Sequence, residues 1–138
     1  MTDATVADDY DWLVSAAGAE AFARAAAGPA DPLRLQQQLR KSLPAERARL
    51  VVEQLELRQR ARRKFSAAEQ MFFTRQTLEQ ATDERLAAYK AARFAAVAPT
   101  GVWADICCGI GGDLRGFASL ATCVGVELDP RVAPLARA

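Results

Sequence analysis

Residues 102–129 read VWADICCGIGGDLRGFASLATCVGVELD and decide the fold of the chain. An apolar run over residues 102–107 meets three glycines within residues 108–112, which predicts a strand that ends in a tight turn. Residues 113–120 suit a short helix, and residues 122–127 form a second apolar run that ends in Glu127. The stretch therefore predicts a strand, a glycine turn, a helix and a second, parallel strand that is followed by an acid.

This order of elements favours a nucleoside cofactor at the carboxyl ends of the two strands. Glycine lets the backbone adopt positive φ and approach a ligand that a Cβ atom would exclude. The helix after the turn presents free N–H groups and a partial positive charge. An acid about 20 residues further on accepts hydrogen bonds from ribose hydroxyls. Glu127 is the residue at that place.

The glycine spacing separates two classes of nucleoside site. Dinucleotide sites use Gly-x-Gly-x-x-Gly, and counted from Gly109 the third glycine position is Leu114. Asp105 and Asp113 flank the turn, and both carboxylates would repel a pyrophosphate. Residues 105–113 (DICCGIGGD) instead resemble motif I of class I S-adenosylmethionine-dependent methyltransferases, whose cofactor has no phosphate and carries an ammonium and a sulfonium.

A narrower resemblance covers residues 105–113, 124–130 (VGVELDP) and 135–137 (LAR). These segments are similar to the trimethylguanosine synthase family and its bacterial relatives with a THUMP-like region. In that family a helical extension precedes the methyltransferase domain, and a Thr-Pro-Glu helix start contacts the cofactor. Residues 82–84 read Thr-Asp-Glu here, with aspartate in place of proline.

The resemblance implies a set of cofactor-binding residues for S-adenosylmethionine. Glu127 would hold the ribose hydroxyls, although the family more often has aspartate there, and Asp105 would orient the loop or meet the methionyl ammonium. The remaining members of the implied site are loop residues and the helix start: Cys108, Gly109, Gly111, Gly112 and Thr82. The resemblance implies no catalytic residue within the chain, because the family's base-holding residues follow a later strand. It also implies RNA, at a guanine exocyclic amine, as the substrate.

The fold class predicted is α/β, with a helical domain over residues 1–98 and the start of a Rossmann-like methyltransferase domain over residues 99–138. A doubly wound sheet needs at least four or five strands, and only two are recognisable here. We therefore expect the 138 residues to be the amino-terminal part of a longer enzyme, inactive by themselves.

Capping signals divide the first hundred residues into helices. Ser15 is a candidate N-cap for a helix over residues 16–27, and Asp31 followed by Pro32 predicts another start. Residues 1–11 are polar and are expected to be frayed. Residues 66–69 (SAAE) have capping-box spacing, residues 82–84 predict the start of a helix over residues 85–97, and Asp129 followed by Pro130 predicts a last helix.

Charge is balanced overall, at +1, but is divided along the chain. Residues 1–32 hold six acids and one arginine, whereas residues 33–64 hold ten lysines and arginines and three acids. Five of the cations lie in residues 58–64, the block that begins with Arg58 and ends with Lys64. This block predicts RNA contact, or simply a solvated helix end whose cations suit the helix dipole. An alternative function is therefore a helical module that binds nucleic acid or protein, and a third is a nicotinamide or flavin enzyme.

The cysteine and histidine content limits the chemistry. The chain has three cysteines and no histidine, which excludes a mixed-ligand zinc site and a Cys-His or Ser-His catalytic pair within it. We expect free thiols, no metal, no membrane contact and a cytoplasmic location.

Overall fold

The protein is mixed α/β, mostly helical, with one small parallel sheet. The computed structural model describes residues 3–138. Its helices are α1 (Asp3–Leu13), α2 (Ala16–Ala26), α3 (Pro32–Leu39), α4 (Ala45–Ala61), α5 (Arg75–Gln80), α6 (Glu84–Val97), α7 (Gly112–Phe117) and α8 (Ala133–Arg137). A 3₁₀ turn (Ala68–Gln70) and the strands β1 (Val102–Asp105) and β2 (Thr122–Gly125) complete the chain.

Local capping chemistry sets the starts of several helices as the sequence predicts. The Ser15 hydroxyl accepts the Gly18 N–H at 3.4 Å, and the Asp31 carboxylate accepts the Arg34 N–H at 2.8 Å. At α6 the cap is Asp83, whose carboxylate accepts the N–H groups of the next turn at 3.0 and 3.1 Å. The neighbouring Thr82 is thereby left to make other contacts.

The structure differs from three expectations about local structure. The frayed segment expected over residues 1–11 is helical from Asp3 onward, with residues 1–2 outside the described part. The capping-box residues 66–69 overlap the 3₁₀ turn Ala68–Gln70, but Ser66 does not cap it, because its N–H and hydroxyl both donate to Glu84 at 2.8 Å. Asp129 begins a turn, accepting the Arg131 N–H at 2.9 Å, and α8 starts four residues later.

Two apolar clusters hold the helices together, and both include side chains from the carboxyl-terminal part of the chain. One cluster gathers α1 to α4 and also takes Leu135 from α8. The other surrounds Phe65 and Phe73 and takes Ile110 from the glycine turn and Val132. The helical region and the sheet region therefore share their cores.

The connector between α4 and α5 is held on this core by a buried polar side chain. Gln54 is 1% exposed, and its side-chain oxygen accepts the Phe73 N–H at 2.9 Å while its amide donates to the Phe73 carbonyl. Phe73 itself is fully buried. The apolar residues 71–73 thus dock the connector onto the core, with Met71 and Phe73 buried.

The sheet pairs β1 with β2 in parallel, with Trp103 opposite Cys123 and Asp105 opposite Gly125. Trp103 faces α6 and α7, where its ring lies 5.4 Å from Phe94 and 5.5 Å from Phe117. The side chains of Val102 and Val124 lie on the other face of the sheet, where they are 63% and 49% exposed. The helices thus cover one face and leave the carboxyl ends of both strands open toward the glycine turn.

Candidate functional site

The glycine turn has the backbone shape that the sequence predicts. Gly109 has φ +55° and Gly111 has φ +79°, and α7 begins at Gly112. A Cβ atom built on Gly109 would have no atom within 4 Å, so that side of the backbone is open. Gly109 is therefore the position at which a ligand can reach the main chain.

Glu127 ties the ends of the two strands together. Its Oε2 atom accepts the Gly109 N–H at 3.0 Å, and its Oε1 atom accepts the Asp129 N–H at 2.8 Å. A carboxylate has about four lone-pair sites, so half of its accepting capacity is left for a ligand. The side chain is half-buried, which limits competition from water.

Asp105 ends β1 and lies at the foot of the same turn. Its Oδ1 atom accepts the Cys107 N–H at 3.2 Å, and its backbone carbonyl accepts the Val126 N–H at 2.8 Å. Asp105 thus stabilises the turn and keeps one carboxylate oxygen for other contacts.

Thr82 belongs to an ionic cluster that joins α6 to α7. The Thr82 hydroxyl donates to Asp113 at 3.1 Å, and the Lys90 ammonium donates to the Thr82 hydroxyl at 3.0 Å and to Asp113 at 2.9 Å. The sequence predicts Thr82 as a site residue but predicts neither Lys90 nor the ion pair that Asp113 makes with it. The three residues are far apart in the chain, and no local pattern connects them.

Gly112 serves packing between these elements. A Cβ atom at Gly112 would lie 2.9 Å from the Thr82 carbonyl oxygen, so only glycine lets α7 approach the start of α6 this closely. A Cβ atom at Gly116, one turn later, would lie 2.6 Å from the Ala87 backbone. These close approaches place Thr82 beside the glycine turn.

Cys108 faces the same turn with a half-buried thiol. Its N–H donates to the Val126 carbonyl at 3.1 Å, which extends the strand pairing past β2. Burial, followed by the charges of Asp105 and Glu127, raises the pKa of Cys108. The side chain is therefore a neutral thiol at pH 7 and suits packing better than nucleophilic attack.

Two adjoining hollows lie over the turn. The smaller, of about 160 Å³, is lined among others by five of the predicted residues: Thr82, Asp105, Cys108, Gly109 and Gly112. The larger, of about 460 Å³, is lined by Glu127 and Gly109 together with residues of α1, α4 and α5. Gly111 lines neither of them. The hollows share Thr77, Gln80, Cys107 and Gly109 and therefore adjoin each other at these residues.

Carboxylates outnumber cations around these hollows. The side chains that line them include five carboxylates, those of Glu53, Asp105, Asp113, Glu127 and Asp129, and two guanidinium groups, those of Arg75 and Arg131. Three of these carboxylates are already ion-paired: Glu53 with Arg49 and Arg75, Asp113 with Lys90, and Asp129 with Arg131. Asp105 and Glu127 accept hydrogen bonds from backbone N–H groups instead, and these two carboxylates favour a neutral or cationic ligand over one that carries phosphates.

Most of the basic block at residues 58–64 already has partners in the fold. Arg58 is stacked 4.5 Å from the rings of both Phe22 and Phe72, and burial lowers its pKa. Lys64 donates to three carbonyls at the end of α5, at 2.8 to 2.9 Å. The exposed cations of the block are Arg60, Arg62 and Arg63, of which Arg60 lies 3.8 Å from Glu79 and Arg62 pairs with Glu69 at 2.7 Å.

Comparison with known proteins gives one similarity. A family model described as a domain of unknown function (DUF8688) matches residues 6–61, which run from α1 to the last residue of α4. The chain matches no curated protein and no solved structure. Within residues 3–138, none of the helices combines the length and the apolar composition that a membrane crossing needs.

Proposed function

We propose that the chain builds a cofactor site of a class I S-adenosylmethionine-dependent methyltransferase, with a Rossmann-like sheet that starts at β1. The observation that carries the proposal is the pair of carboxylate-rich hollows that meet at Gly109, over the carboxyl ends of two parallel strands. Parallel α/β sheets bind ligands at this edge. A sulfonium and an ammonium suit the charge of the site, whereas a pyrophosphate does not.

The residues present fit this cofactor. Glu127 keeps accepting capacity for ribose hydroxyls, and Asp105 keeps one oxygen for an ammonium group. Gly109 offers open backbone, while Thr82, Cys108 and Gly112 complete the wall of the smaller hollow. When bound, the cofactor supplies an activated methyl group, and the protein's part is to position its partner and exclude water.

The test is a calorimetric titration of the chain with S-adenosylhomocysteine, with NAD⁺ as the competing cofactor class. The proposal predicts saturable binding of S-adenosylhomocysteine and none of NAD⁺. An absence of heat at high micromolar S-adenosylhomocysteine would refute the proposal, and binding of NAD⁺ alone would favour a nicotinamide enzyme.

For the proposed methyltransferase, the substrate class that we propose is RNA, methylated at a guanine exocyclic amine. This part rests on the resemblance of residues 105–113 and 124–130, and on the exposed guanidinium groups of Arg60, Arg62 and Arg63. For single-stranded RNA, each phosphate that a protein cation neutralises adds about −0.7 to the slope of log K against log salt. Changing the three arginines to glutamine should therefore flatten the salt dependence of RNA binding.

The matched control for RNA is a second triple glutamine variant, at the exposed cations Arg34, Arg40 and Lys41. It should leave the salt dependence as in the wild-type chain. Equal effects of the two triple variants would refute a specific role for residues 58–64.

A further inference from the structure

The larger hollow has a wall that comes from the helical region. Glu127 and Asp129 line it together with Tyr10 of α1, Glu53 of α4 and Arg75 of α5. Tyr10 and Glu53 both lie within residues 6–61, the segment that the family model matches. The matched segment therefore reaches the edge of the proposed cofactor site.

Tyr10 is held in this wall by packing and by an ion pair one residue away. Its ring packs against the apolar cluster that includes Leu13 and Leu135. The neighbouring Asp9 pairs with Arg47 of α4 at 2.8 Å, which fixes α1 on α4. Burial raises the pKa of Tyr10, with the charge of Glu53 as the next cause, so its hydroxyl stays protonated and can donate a hydrogen bond.

Glu53 is also fixed in place. Its side chain is 17% exposed and accepts from Arg49 at 2.7 Å and from Arg75 at 3.0 Å. In the same hollow, Arg131 pairs with Asp129 at 2.6 Å. Glu127 has hydrogen bonds to two backbone N–H groups. The hollow thus combines the Glu127 carboxylate, which accepts hydrogen bonds, with the Tyr10 hydroxyl, which can donate one, and the Glu53–Arg75 ion pair.

We infer that Tyr10 and Glu53 form the part of the nucleoside subsite that the helical region contributes, in the same hollow as Glu127. This inference rests on the proposed function. A nucleoside on Glu127 presents its remaining polar groups to a wall that holds the Tyr10 hydroxyl and the Glu53–Arg75 pair. The helical region is then part of the cofactor site, and ligand binding links it to the glycine turn.

The chain offers a matched control, because it has two tyrosines. Tyr89 is on α6 and is 58% exposed, and it lines neither hollow. Tyr10→Phe keeps the packed ring and removes only the hydroxyl, and Tyr89→Phe makes the same change outside the site. Glu53→Gln removes the carboxylate charge of Glu53, and Glu79→Gln makes the same change at an exposed residue as its control.

Each variant of the full chain is titrated with S-adenosylhomocysteine by calorimetry, after urea unfolding has shown that it is folded. Loss of one hydrogen bond weakens binding by about 2- to 13-fold, so Tyr10→Phe and Glu53→Gln should each raise Kd within that range. Tyr89→Phe and Glu79→Gln should stay within about twofold of the wild-type Kd.

Wild-type affinity in both Tyr10→Phe and Glu53→Gln would overturn this inference and leave the proposed function standing. Absence of binding by the wild-type chain would overturn the proposed function and the inference with it. The two failures are therefore distinguishable within one series of titrations.

Discussion

The Oε2 atom of Glu127 accepts the backbone N–H of Gly109 at 3.0 Å, across 18 residues of sequence. This hydrogen bond joins the acid after β2 to the open point of the glycine turn. An aspartate, one methylene shorter, would not reach as far. The glutamate that departs from the resembling family's usual aspartate therefore has a structural role of its own.

Replacing Glu127 with alanine should weaken binding of S-adenosylhomocysteine by about 1–3 kcal/mol, because charged hydrogen bonds to the ribose are removed. Glu127→Asp should give an intermediate Kd, since it keeps the charge but loses reach to Gly109. Calorimetry measures both, with Glu20→Ala on the exposed surface of α2 as the control. An unchanged Kd in Glu127→Ala would show that this carboxylate does not contact the ligand.

Alkylation of Cys107 should report occupancy of the site. Cys107 is exposed and lines both hollows, whereas Cys123 lies on β2 away from them. Bound S-adenosylhomocysteine should slow the reaction of N-ethylmaleimide with Cys107 and leave that of Cys123 unchanged. Mass spectrometry of the labelled peptides gives both rates, and equal Cys107 rates with and without ligand would contradict the placement.

Gly112→Ala should destabilise the fold by about 1–3 kcal/mol, the usual effect of overpacking. The new Cβ atom would lie 2.9 Å from the Thr82 carbonyl oxygen and 3.3 Å from the Thr82 backbone nitrogen, and these backbone atoms cannot rotate away as the end of a flexible side chain can. Urea unfolding measures the change, and Ala88→Ser, which adds one heavy atom at an exposed site on α6, is the control. Wild-type stability in Gly112→Ala would mean that α7 and α6 pack less closely than described.

Lys90→Met should lower the free energy of unfolding by about 0.5–1 kcal/mol, since the Lys90 side chain is 41% exposed and solvent screens its pair with Asp113. Lys41→Met removes an exposed lysine elsewhere and should change stability little. Lys90→Arg, which keeps the charge, should recover part of the loss in urea unfolding. Equal stabilities of Lys90→Met and Lys41→Met would show that the cluster with Thr82 contributes nothing.

Asp129 should make the stability of the fold depend on pH in the acid range. The hydrogen bond from Arg131 lowers the pKa of Asp129, so its contribution is present above the unfolded pKa of about 3.9 and is lost as pH falls through the lower folded pKa. Asp129→Asn should therefore be less stable than the wild-type chain at neutral pH, and the difference should shrink at an acid pH below the unfolded pKa of about 3.9. Urea titrations at both pH values measure the two stabilities. A stability difference that persists at acid pH would show that packing, and not the charge of Asp129, causes it.

Short-range signals account for the parts of the fold that the sequence predicts. Ser15 and Asp31 cap helices because the N–H groups that they accept lie within three residues. The strand, turn, helix and strand over residues 102–125 follow from the apolar runs and glycines. Both kinds of signal are complete within a few residues of sequence.

Long-range contacts determine the parts of the fold and of the site that the sequence does not predict. Ser66 carries the capping signal but is bound by Glu84, 18 residues away. The polar α1 is held by the pair of Asp9 with Arg47, 38 residues away. The sequence does not predict Lys90 and Tyr10 as site residues for the same reason. Only the tertiary fold brings Lys90 to Asp113 and Tyr10 to the larger hollow.

A crystal structure of the chain with S-adenosylhomocysteine is the most direct test of the account. We predict ligand density that spans both hollows over Gly109, with the ribose hydroxyls within hydrogen-bonding distance of the Glu127 carboxylate. Ligand bound elsewhere, or Glu127 turned away from a ligand in the hollows, would contradict the account.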